Sequence, residues 1–253
     1  MRLLFIVLLI CLCAVRSFAT VAYDSSHNSN YITTAATSYT VTLSTTTAND
    51  CLVAYVLVGS TSVSVSNITG GTSISWNHIA SHVSPSNGYD FEIWEGDATA
   101  TQSSTTVTVH LSSSATSMCS IDGYKGAASS MAIEANHWTD YSSSGTNPLT
   151  GSVTTISAND LVVSGLLVGQ TITGSPSHSA GTGFTLTGSV IQSSGYLSSI
   201  TGEYATSITT TPGLVSTSFT NVGTSNNSVV GLAIRPPASS TGHGPGSIAV
   251  MIF

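Results

Sequence analysis

Basic side chains are nearly missing from this chain: four lysines and arginines stand against eleven acidic residues in 253. Two of them, Arg2 and Arg16, flank an apolar amino-terminal run, which leaves Lys125 and Arg235 as the only cations elsewhere. Phosphate backbones are held chiefly by Lys and Arg, so the deficit excludes nucleic acid as a partner. It argues equally against an anionic membrane surface. Charge of either sign is scarce, at 6% of residues. Long apolar runs are absent too: the first covers residues 3–15, short of the ~20 that a spanning helix needs, and nothing later approaches that length.

Hydroxyls stand where charge would. Ser and Thr supply roughly a third of the chain, which suits exposed strand faces, where Thr has good β-propensity, and offers attachment points for O-linked sugars. Such a composition also suits disorder, but 41% hydrophobic residues and a mean hydropathy of +0.31 can fill a core. The amino-terminal run, followed by Ser17-Phe18-Ala19, predicts a secretory signal over residues 1–19, with cleavage after Ala19 and a secreted or cell-surface product.

The apolar residues come in strand-length packets such as Tyr39-Thr40-Val41-Thr42-Leu43, Phe91-Glu92-Ile93-Trp94 and Thr106-Val107-Thr108-Val109. Alternation with a period of two, broken by Gly, Asn and Ser, predicts an all-β protein. The packets at 52–58 and 161–168 are apolar at both parities, which predicts central strands covered on both faces. These packets also repeat. Ala48-Asn49-Asp50-Cys51-Leu52-Val53 returns as Ala158-Asn159-Asp160-Leu161-Val162-Val163, a shift of 110 that also carries Asp24 onto Glu134, His27 onto His137 and Lys125 onto Arg235. Register held over such a span predicts duplication of one folding unit. Each copy holds about seven candidate strands, near 21–25, 38–44, 51–58, 73–80, 89–96, 105–111 and 117–125 in the first. Two tandem immunoglobulin-like domains or one jelly-roll sandwich would fit. The five-residue junction Gly126-Ala127-Ala128-Ser129-Ser130 favours intimate packing. The expectation is a jelly-roll-like sandwich over 20–237, built from seven-strand halves 20–126 and 130–236 about a pseudo-two-fold axis.

Five segments in this order, Asn49-Asp50-Cys51-Leu52-Val53, Phe91-Glu92-Ile93-Trp94, Ser120-Ile121-Asp122-Gly123-Tyr124, Asn159-Asp160-Leu161-Val162-Val163 and Val230-Gly231-Leu232-Ala233-Ile234-Arg235-Pro236, carry a resemblance. The chain resembles extracellular jelly-roll-like β-sandwich modules of bacterial and metagenomic secreted or surface proteins, over residues 20 to about 237. The resemblance implies an adhesive or structural role and supplies no catalytic residues.

Past the signal only Cys51 and Cys119 remain. Two cysteines in an oxidising compartment invite a disulfide, yet the repeat aligns them with Leu161 and Val229, apolar core positions where cysteine is also at home. The charges add a constraint. If the strands carrying them are antiparallel neighbours, Asp50 meets Lys125 and Asp160 meets Arg235, and the same register holds the two sulfurs roughly 20 Å apart at ~3.4 Å per residue.

One stretch concentrates polar chemistry: Asp90, Glu92, Glu95 and Asp97 around Trp94. Alternation places Asp90, Glu92 and Trp94 on one face and Phe91 and Ile93 on the other. With Phe91 and Ile93 in the core, two carboxylates and an indole would stand in solvent, able to stack on a sugar ring and accept its hydroxyl hydrogen bonds; an ordinary solvated strand with Trp94 covered by a loop reads the same way. Calcium could use these oxygens, although their spacing matches no calcium loop. No cofactor or metal is otherwise expected. His27 and His137, each three residues after an acid, fit a twinned metal site or simply two equivalent turns. Paired carboxylates can hydrolyse glycosides, but no His-Glu-x-x-His or Gly-x-Ser-x-Gly pattern occurs. Asn67-Ile68-Thr69 and Asn226-Asn227-Ser228 fit the N-glycosylation pattern.

Beyond Pro236-Pro237 a Gly/Ser/Pro spacer leads to Ser247-Ile248-Ala249-Val250-Met251-Ile252-Phe253, which has the length and propensity to add as a strand to this domain or to a neighbouring subunit. The functional expectation is a secreted, non-enzymatic module for adhesion, surface attachment or carbohydrate binding, its partner a glycan or cell-surface polymer. A glycan-cleaving enzyme using the first-half carboxylates and a structural surface or filament subunit are the rivals.

Overall fold

The computed structural model describes residues 20–84, 88–141, 148–169, 177–192, 197–222 and 226–238; the expected signal and the apolar carboxy-terminal strand lie outside the described residues. The protein is all-β and every ladder is antiparallel. Among the described residues no helix is long and apolar enough to cross a membrane. The first half holds β1 (Ala22–Leu43), β2 (Asp50–Val58), β3 (Val65–Gly70), β4 (Ile74–Ser84), β5 (Tyr89–Ala98) and β6 (Thr105–Lys125). The second holds β7 (Ile133–Tyr141), β8 (Leu149–Thr154), β9 (Leu161–Gly169), β10 (Ser177–Ala180), β11 (Phe184–Ile191), β12 (Leu197–Ala205), β13 (Leu214–Val222) and β14 (Asn226–Ile234).

The strand count per half differs from the expected seven for a physical reason. β1 runs through two expected strands, and β6 through two more, because the polar segments between them still pair: Tyr31 faces Met118 and Ala36 faces Ala115. The ladder shifts register between Ile32 and Ser38, and such irregularities let a strand bend from one layer into another. β3, which reads as Ser/Asn/Thr-rich loop, is a strand because β6 supplies its backbone partners.

Pairing runs β1-β6-β2-β5-β4 in the first half, with β3 on β6. In the second half it runs β7-β14-β9-β12-β11, with β10-β13-β8 as a separate sheet. Moved by 110 residues, the two ends of β1 fall on β7 and β8 and the two ends of β6 on β13 and β14, so the two pairing orders coincide.

Burial follows from these layers. Along β2, Cys51, Val53, Tyr55 and Leu57 enter one core, and Leu52, Ala54, Val56 and Val58 enter another. The second of these lies inside the first half, against Val41, Leu43, Ile68, Val107 and Val109. The first joins the halves, setting Phe91 and Ile93 against Val163, Leu167, Ile200 and Val230. A third, smaller core gathers Leu149, Leu166, Val168, Phe219 and Val229. A strand buried on both faces must be apolar at both parities, which is what the runs at 52–58 and 161–168 encode.

Candidate ligand cleft in the first half

β5 alternates as expected, but both of its faces are covered. Phe91 and Ile93 point into the core between the halves, while Trp94 joins the first-half core. Asp90, Glu92 and Trp94 are only 3%, 1% and 7% exposed. The expectation that they stand free in solvent is therefore corrected. Alternation assigns residues to a face without saying what covers that face, and here the cover is the segment 61–66 leading into β3. Val65 N donates to Glu92 Oε1 at 2.5 Å, and at the far end of β3 Trp76 Nε1 donates to Gly70 O at 3.3 Å. Beside the first of these ties a cleft of about 510 Å³ opens, lined by the 61–66 segment, His78, Ser81, Val83, Asp90, Glu92 and Trp94.

The floor of the cleft is pre-ordered. Glu92 Oε2 accepts from Trp94 Nε1 at 2.8 Å, which fixes the indole, and lies 3.6 Å from His78 Nε2. The rings of His78 and Trp94 sit 5.1 Å apart. Asp90 is pushed up to about 7, first by burial and then by the negative charge and hydrogen bond of Glu92 beside it. Its Oδ1 has no hydrogen-bond partner among the described residues. The pair can accept hydrogen bonds, hold a proton near neutrality, and orient a donor placed against Trp94. Of the residues that make this cleft, His78, Ser81, Val83 and the 61–66 segment were not anticipated. Their place depends on the β4–β5 ladder, whose register shifts between His78 and Ala80, and on β3 crossing over it.

The other two carboxylates of the stretch face the opposite way. Glu95 accepts from Ala132 N at 2.6 Å and Ile133 N at 3.0 Å, clamping the start of the second half. Asp97 beside it is raised to about 7, chiefly by burial and then by Glu95. The four acids therefore do not converge on one point. Among the described residues no group of three or more His, Cys, Asp or Glu is placed to hold a metal.

The aligned acids do equivalent work. Asp24 accepts from Thr46 N at 2.6 Å, from the Thr46 hydroxyl, and from Thr47 Oγ1 at 2.9 Å. Glu134 accepts from Ile156 N at 2.9 Å and Ser157 N at 2.8 Å. Each fastens the turn before a central strand, and in each turn an asparagine, Asn49 or Asn159, adopts positive φ (60° and 70°). The histidines are not twins. His27 bonds Asp122 at 2.8 Å in the seam between the halves, whereas His137 is an exposed residue of β7.

Asp50 and Lys125 are register partners, as expected, but they form no ion pair; among the described residues the ion pairs belong to His27, His78 and His82. The turns have taken the carboxylates, Asp50 accepting from Thr47 Oγ1 at 2.7 Å and Asp160 from Ser157 N at 3.1 Å. Arg235 reaches the Ser130 carbonyl at 3.4 Å instead of Asp160. Cys51 and Cys119 are free and buried. The ladder sets Cys51 opposite Tyr124 and Cys119 opposite Val56, and the two belong to different cores on opposite faces of the sheet. A disulfide between them is corrected on that ground.

Comparison with family models, with curated proteins and with solved structures found no match for this chain.

Proposed function

We propose that this chain is a secreted, non-enzymatic β-sandwich module that binds carbohydrate, serving adhesion or attachment to a cell-surface polymer. The observation that carries the reading is the convergence of Trp94, Asp90, Glu92 and His78 with the hydroxyl-rich segment 61–66 around one cleft. Its volume of about 510 Å³ lies in the range of small-ligand sites. The half-exposed His78 ring, set against the edge of an indole held by a carboxylate, offers a fixed ring surface, and the surrounding oxygens match a ligand made of hydroxyls. Hydrolysis needs two carboxyl groups flanking the scissile bond, about 5 Å or more apart. Asp90 and Glu92 are instead hydrogen-bonded neighbours on one strand, which supports binding over cleavage.

We further infer that residues 20–237 form one jelly-roll-like sandwich whose halves arose by duplication and are related by a pseudo-two-fold axis. The coincident pairing orders and the paired Asn49 and Asn159 turns support this.

A glycan array probed with the purified protein tests the function. Binding to an oligosaccharide that Trp94→Ala weakens at least tenfold is the expected result. Turnover of that glycan, abolished by Glu92→Gln, would overturn the non-enzymatic reading.

A further inference from the structure

We propose that the cleft selects an amino sugar, with its ammonium group seated against Asp90 and Glu92. This rests on the carbohydrate-binding reading above and narrows it to a substrate class.

The cleft is built with acceptors to spare and no fixed cation. Its lining includes two carboxyl groups and no Lys or Arg. Both Glu92 oxygens are already engaged, Oε1 by Val65 N and Oε2 by Trp94 Nε1. Asp90 shares a hydrogen bond with Glu92, but the residue is 3% exposed and its Oδ1 is unpartnered among the described residues. A buried acceptor without a donor is costly, and native sites seldom leave one unless a ligand or water completes it. A sugar hydroxyl would bring one donor. An ammonium brings three and a positive charge, which both carboxylates favour.

The titratable groups facing Asp90 are few. Glu92 stands two residues along β5, and His78 comes from β4, where Val83 is the residue directly opposite Asp90. β2 presents Val58, and the 61–66 segment presents hydroxyls and valines. Tyr39 of β1 is held well above its ordinary value, by burial first, with the charges of Cys119 and Glu92 adding to it. Protons therefore compete with the ammonium chiefly at Asp90, which sits at about 7 because of burial and Glu92. The second half lacks the site, because a shift of 107 puts Leu197, Ser199 and Thr201 at the positions of Asp90, Glu92 and Trp94.

Calorimetric titration of the purified protein with a glucosamine oligomer, its fully N-acetylated counterpart, a glucose oligomer of equal length and a simple diamine provides the test. The glucosamine oligomer should bind at least tenfold more tightly than the other three. Asp90→Asn should abolish the preference, with Glu92→Gln as the second variant should the first not fold. Equal affinity for the acetylated oligomer or the diamine would overturn the proposal. Trp94-dependent binding confined to neutral oligomers would overturn this inference and leave the carbohydrate reading standing. Binding of no sugar at all would overturn both.

Discussion

Tyr55 lies so close over Gly165 that a Cβ on residue 165 would stand 2.5 Å from the tyrosine's Cε1. The two positions are 110 residues apart, the same shift that aligns Ala48–Val53 with Ala158–Val163 in the sequence, and the two strands that carry them meet here. Here a ring on one side requires that nothing stand on the other. Gly165→Ala should destabilise the fold by about 1–3 kcal/mol through overpacking. Thermal melts of Gly165→Ala, Tyr55→Leu and the double variant should show strong non-additivity, because the smaller leucine relieves the clash. Additive effects would mean that the halves do not pack through this pair.

Glu95 fastens the halves by a different means, accepting the amides of Ala132 and Ile133 within the protein interior. Glu95→Ala would leave two buried donors unpaired. It should cost about 2–4 kcal/mol, which for a chain of this size lowers Tm by several degrees. Glu95→Gln, which keeps an acceptor oxygen, should recover part of the loss. An unchanged Tm for Glu95→Ala would remove this carboxylate from the account of how the halves are joined.

Glu203 of β12 is raised to about 8 by burial, only partly offset by the Gly181 amide. Its folded-state value exceeds the ordinary 4.5, so the protonated form stabilises the native state. That contribution is complete below about pH 4.5 and is lost as pH rises through about 8. Asp90, Asp97 and Asp160, all raised to about 7, act in the same sense. Glu203→Gln should therefore change stability little at pH 5 and raise it by about 2–4 kcal/mol at pH 8. Urea unfolding of both proteins at the two pH values checks the sign, and destabilisation at pH 8 would contradict it.

The asparagines at positive φ before the central strands carry a smaller prediction. Asn49→Gly should be nearly neutral. Asn49→Val should cost about 1–3 kcal/mol, because a β-branched side chain resists the left-handed region. Equal Tm values for the two variants would show that the turn does not need this conformation.

What could be read from residues alone was local and periodic. The doubly apolar packets at 52–58 and 161–168 gave central strands, since a strand's own pattern reports how many of its faces are covered. The Asp50–Lys125 register was likewise legible from charges at the ends of two packets. The cleft was only half legible. Alternation grouped Asp90, Glu92 and Trp94 correctly, but what covers them comes from β3, a segment with little apolar signal that is paired by the distant strand β6. His78 joined the site through a β4–β5 register that no short window contains. The seam of His27, Asp122 and Thr187, with bonds of 2.8 and 2.7 Å, depends on the packing of one half on the other and had no local signature.

The most direct test is a crystal structure of the protein with a bound oligosaccharide from the array. The account predicts sugar density in the cleft between residues 61–66 and Trp94, within hydrogen-bond distance of Asp90. Well-ordered sugar on an outer Ser/Thr face, with the cleft empty, would contradict it.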